Sequence, residues 1–154
     1  MNIKKMLICL CFLFCLVSLT SCKEIETYDD MKTITYEKIL SKSNLSASGT
    51  YYVIVHRNGC AVCEGIMPKV AEYANLSGID PIYALNKSDK KNNGGISPGS
   101  GVKVNVGLGA TNYEDIKLAS SPVLLKITNG KVVKLIDTRT NILAELEAMI
   151  AKNK

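Results

Sequence analysis

Cys60 and Cys63 stand two residues apart in Cys-Ala-Val-Cys, and a thiol pair at that spacing can cycle between dithiol and disulfide. The chain has six cysteines in 154 residues. Cys9, Cys11 and Cys15 lie in an apolar leader, and Cys22 closes the tetrapeptide Leu19-Thr20-Ser21-Cys22. That leaves Cys60 and Cys63 as the pair free for redox chemistry. The attacking species in thiol exchange is the thiolate, and an ordinary cysteine, with a pKa of about 8.5, is mostly protonated at neutral pH. Val62, Ile66, Met67, Val70, Ala71 and Ala74 recur at three- and four-residue steps, which predicts a helix from Cys60 to about Asn75 with one buried stripe. Cys60 then sits in the first helical turn, where unsatisfied N–H groups and the positive end of the dipole favour an anion. Cys60 is the expected nucleophile. Cys63, three residues on and deeper, is the expected resolving thiol that displaces a captured partner and closes the disulfide.

Other residues near the pair have more than one reading. His56, the single histidine, either packs at a strand end or, with Arg57, favours the thiolate electrostatically. Glu64 either faces solvent, moves protons or opposes the thiolate. A metal-handling module built on the two thiolates and His56 is the alternative to redox chemistry, but it falls short of the four ligands of a closed zinc site. No metal and no cofactor is expected. The Gly-rich stretch lacks the Gly-x-x-x-x-Gly-Lys-Ser/Thr pattern of a phosphate loop.

The elements that position the pair can be read around it. Tyr51-Tyr52-Val53-Ile54-Val55 predicts a buried strand, broken by Asn58-Gly59, that delivers the chain to the Cys60 helix. Further expected elements are a short strand near Thr33 to Thr35, a helix from Tyr36 to about Lys42, and a strand from Asp80 to Leu85. Residues 86–112 carry Asn92-Asn93-Gly94-Gly95 and Ser97-Pro98-Gly99-Ser100-Gly101 and read as a long irregular loop, with a short strand at Val102, Val104 and Val106. A third hypothesis makes residues 87–112 a binding surface and the cysteines incidental. Tyr113 to Leu118 predicts a helical turn. Pro122 to Ile127, Asn129-Gly130 and Lys131 to Ile136 predict a hairpin, and Thr140 to Lys152 an amphipathic helix.

Lys4 and Lys5 followed by the apolar run Met6 to Leu19 form a secretory signal, shorter than the ~20 residues of a spanning helix. Thr20-Ser21-Cys22 resembles a lipoprotein box, with acylation of Cys22 holding the protein on the extracytoplasmic face of a bacterial membrane; an uncleaved anchor or an ordinary signal are the other readings. The expected organisation is a signal peptide at 1–21, a polar tether at 22–32 and one domain at 33–154. The formal net charge of +5 includes two leader lysines, too mild a balance to argue for nucleic acid.

The chain resembles the thioredoxin superfamily. The resemblance is carried by the strand and dithiol Tyr51 to Cys63, by Pro68 five residues after Cys63, and by Ser121-Pro122-Val123 followed by Leu124 to Val132 with its Asn-Gly turn. It implies an α/β thioredoxin-like fold, a central mixed sheet flanked by helices, with the long Gly/Asn/Lys-rich insertion before the cis-proline strand. It also implies that Ser121 and Pro122 form the active-site loop that packs over the sulfurs and presents backbone to substrate. The implied activity is thiol–disulfide exchange on exported proteins or peptides, with a membrane redox partner. Gly59 stands where thioredoxins carry Trp, Ala61-Val62 where they carry Gly-Pro, and Ile54 where they bury the Asp of the proton relay.

Overall fold

The computed structural model describes residues 23–41, 48–92 and 104–154. The signal peptide and Cys22 lie outside the described residues, as do Val102 and most of the Gly-rich run. Four strands form one mixed sheet: β1 (Thr50–His56), β2 (Ile82–Asn86), β3 (Val123–Thr128) and β4 (Lys131–Ile136), in the order β2-β1-β3-β4. β1 runs parallel to β2 and antiparallel to β3, and β3 runs antiparallel to β4. The parallel pair encloses α1 (Ala61–Ala74), and α2 (Arg139–Lys152) follows β4.

β1 is central and buried along Tyr51 to His56, which is why it is a continuous aromatic and β-branched run rather than an alternating one. Its side chains divide between two cores. Tyr52 and Ile54 face Ile66, Val70, Ile142 and Leu146, so both helices cover the same side of the sheet. Tyr51, Val53 and Val55 face the opposite side with Ile39, Leu85, Ile116, Leu118 and Leu125. The Asn129-Gly130 turn takes positive φ at both residues, 51° and 73°, the backbone twist that a two-residue hairpin requires.

Four expectations change. The helix expected from Tyr36 is a single 3-10 turn, Tyr36–Lys38. Its buried residues Tyr36, Ile39 and Leu40 keep the spacing of one helical stripe, but the turn does not propagate into an α-helix. Instead Asn92 Oδ1 accepts from the Tyr36 N–H at 2.9 Å, the Tyr36 hydroxyl donates to the Ile116 carbonyl at 2.7 Å, and the Tyr51 hydroxyl donates to the Ile39 carbonyl at 2.8 Å. The strand expected at Thr33 is one parallel bridge to Ala84, and the strand expected at Val106 is one antiparallel bridge to Lys117. Residues 25–31, expected within the tether, are packed on the domain: Met31 is buried and Ile25 and Tyr28 lie against the helical core. Asn75, the C-cap of α1, fixes this segment by accepting from the Ile25 N–H and donating to its carbonyl, both at 2.9 Å.

Candidate active site

β1 ends at His56, and Gly59 at φ 64° turns the chain into α1. Cys60 is the helix N-cap, and its Sγ accepts from the Cys63 N–H at 3.2 Å. A sulfur in the N-cap position satisfies one of the donors that a helix start leaves open. Cys60 and Cys63 are joined as a disulfide with their Cα atoms 5.2 Å apart. Cys60 is 5% exposed and Cys63 1%, so Cys63 is the deeper of the two. Val62, between them, is 46% exposed and offers an apolar surface beside the sulfurs. Pro68 lies inside α1 and brings no N–H to the Glu64 carbonyl.

The Ser121–Pro122 peptide is cis, and the Ser121 carbonyl oxygen lies 3.9 Å from Cys60 Sγ. The structure thus brings all four residues, Cys60, Cys63, Ser121 and Pro122, into one place. The approach to this loop is braced from two directions. Asn105 Oδ1 accepts from the Ser120 N–H at 3.1 Å, while its Nδ2 donates to Ser120 Oγ at 2.9 Å and to Asp137 at 3.0 Å. The Lys87 ammonium donates to the Leu118 carbonyl at 2.9 Å.

His56 is buried and stacked on Tyr28, with ring centroids 4.0 Å apart and planes 8° from parallel. Burial lowers its pKa, opposed by the Asp29 carboxylate, so the imidazole is held neutral near pH 7. The Tyr28 hydroxyl donates to the Cys63 carbonyl at 2.8 Å, and burial pushes the phenol well above its ordinary range. Ile54 is fully buried among apolar side chains. Glu64 is exposed. Among the described residues no three His, Cys, Asp or Glu side chains gather as a metal site.

No protein-family model and no curated protein matches the chain. Solved structures do. Thioredoxin f2 of Chlamydomonas reinhardtii superposes with a TM-score of 0.51 at 12% identity, over 77% of this chain and 94% of that one. The fold is thioredoxin-like. Thioredoxin f from spinach chloroplast (TM-score 0.49, 12% identity, 77% and 84% of the chains) and mitochondrial thioredoxin 3 of Saccharomyces cerevisiae (TM-score 0.49, 11% identity, 79% and 97%) are also similar.

Within this thioredoxin fold, sequence reasoning missed Tyr28, Asn105 and Lys87. The signal for Tyr28 was present: Ile25, Tyr28 and Met31 recur every third residue among polar neighbours. Asn105 and Lys87 carry no such signal, because their roles depend on which carbonyl or amide the fold brings alongside.

Proposed function

We propose that the protein is a membrane-anchored extracytoplasmic thiol–disulfide oxidoreductase acting on exported proteins or peptides. The observation that carries this reading is the Cys60 sulfur at the start of α1, bonded to Cys63 and facing the Ser121 carbonyl. In the reduced protein, the Cys60 thiolate attacks a substrate disulfide and forms a mixed disulfide, releasing one substrate thiolate. Cys63 then attacks Cys60, the mixed bond breaks, and the second substrate sulfur leaves; two electrons have passed to the substrate. The reverse sequence oxidises a dithiol. Ser121 and Pro122 supply the wall and backbone against which an extended substrate lies.

Reduction of insulin, or refolding of a scrambled disulfide protein, by the purified protein tests the reading. Catalysis that disappears in Cys60→Ser supports it; no catalysis in either assay overturns it. The midpoint potential of the Cys60/Cys63 couple against glutathione assigns the direction of electron flow: a strongly reducing value calls for a membrane reductase as donor, a higher one for an oxidase or isomerase role.

Anchoring is read from the apolar leader and Cys22. Among the described residues no helix is long and apolar enough to cross a membrane. The reading places attachment on acyl chains at Cys22. Partitioning into detergent that is lost in Cys22→Ala supports it, and unchanged partitioning overturns it.

A further inference from the structure

Cys63 must lose its proton before it can attack a mixed disulfide, yet it is almost wholly buried. Ile54 contributes no carboxylate from the strand behind it. Among the described residues the buried polar or charged side chains are His56 and Asn92, and of these two only the imidazole exchanges a proton near neutral pH. His56 and Cys63 line one cleft of about 260 Å³. Tyr28 ties them together, stacking on the imidazole and hydrogen bonding to the Cys63 carbonyl. A stack occupies the face of a ring and leaves its nitrogen-bearing edge for proton transfer.

We propose that His56 accepts the proton of the Cys63 thiol when Cys63 resolves the mixed disulfide on Cys60. The proposal rests on the oxidoreductase reading above. The Cys63 S–H proton passes to the imidazole. The Cys63 sulfur bonds to Cys60 as the bond from Cys60 to the substrate breaks, and the departing thiolate carries the electron pair and recovers the proton from the imidazolium.

The surroundings suit a base that is neutral at rest. Burial disfavours the imidazolium, whereas Asp29 favours it. Arg57 and Glu64 line the same cleft as Asp29 and His56. Tyr28 stays protonated. From the β2 side, the Lys87 N–H donates to the His56 carbonyl at 2.7 Å, while its ammonium is taken by Leu118.

A chromogenic aryl disulfide separates the two steps, because the reduced protein releases one coloured thiolate when Cys60 attacks and a second when Cys63 resolves. Stopped-flow traces across about pH 5 to 8 should show the second phase of the wild type slowing as the imidazole protonates. In His56→Gln the second phase should be slower by about tenfold or more at pH 7 and should lose that acid limb, with the first phase within about twofold of wild type. A normal first phase with an unchanged second phase overturns the proposal alone. Absence of the first phase overturns the oxidoreductase reading and the proposal with it. Because His56 is the single histidine, its ring proton resonance can also be titrated in the wild type. Different midpoints in the dithiol and disulfide forms support the pairing, and identical midpoints overturn it whatever the variant does.

Discussion

The Tyr28 hydroxyl donates to the Cys63 carbonyl at 2.8 Å, so a residue that precedes the whole sheet holds the turn that carries the dithiol. A hydrogen bond of this kind contributes a net of about 1 kcal/mol. Tyr28→Phe keeps the stack on His56 and should lower stability by about that amount. Tyr28→Ala also removes the packed ring and should cost about 3 kcal/mol. Urea midpoints of the oxidised proteins check both; equal midpoints for Tyr28→Phe and wild type would show the bond to be energetically silent.

Acid should weaken the fold through His56. Its pKa is lowered in the folded protein and returns to about 6.5 in the unfolded chain. Between those two values the unfolded state binds more protons, so stability rises with pH. The contribution is complete above about pH 6.5 and is lost as pH falls through the folded value. Urea midpoints measured on either side of this window should diverge in the wild type, and the part due to His56 should vanish in His56→Gln.

The two cysteines should separate cleanly in trapping experiments. Cys63→Ser retains the nucleophile and lacks the resolving thiol, so it should accumulate substrate as a mixed disulfide visible on non-reducing gels. Cys60→Ser should trap little, because Cys63 is the deeper of the two sulfurs. Equal trapping by both variants would reverse or dissolve the assignment of roles.

Asn92→Ala should lower stability by about 2 to 3 kcal/mol. Asn92 is buried, its Oδ1 accepts from the Tyr36 N–H, and its Nδ2 donates to the Asn86 carbonyl at 2.9 Å. Truncation leaves the Tyr36 donor, on a buried residue, without that partner. Chemical denaturation reads the loss, and the rate of Cys60 capture should be unaltered.

Asn105→Ala should act on turnover more than on stability. It releases Ser120, the residue before the Ser121 carbonyl that faces Cys60. A small displacement of that backbone should slow substrate reduction by about two- to tenfold. A melting curve shifted without any change in rate would count against a positioning role.

Much of the site could be read from the chain because its determinants are local. Cys60 and Cys63 are fixed by one helical turn, the hairpin by Asn129-Gly130, and α1 by the spacing of Ile66, Val70 and their neighbours. The second face of the sheet was less legible. Its cover is assembled from 3-10 turns and single bridges whose hydrogen bonds run from Tyr36 to Ile116 and from Tyr51 to Ile39, contacts that no periodicity encodes. The N-terminal segment was misread for a related reason: its charged residues suggested solvation, while Ile25, Tyr28 and Met31 supply enough apolar surface to dock it.

Asn75 grips Ile25 at the end of α1 opposite Cys63. The 14 residues of α1 span about 21 Å at helical rise, and the three residue steps from Ile25 back to Cys22 reach about 10 Å at most. A protein leashed by lipid at Cys22 would therefore carry its sulfurs on the pole turned away from the bilayer. Soluble clients arriving from outside would meet the reactive end first, and a donor embedded in the lipid plane would have to extend outward to recharge it.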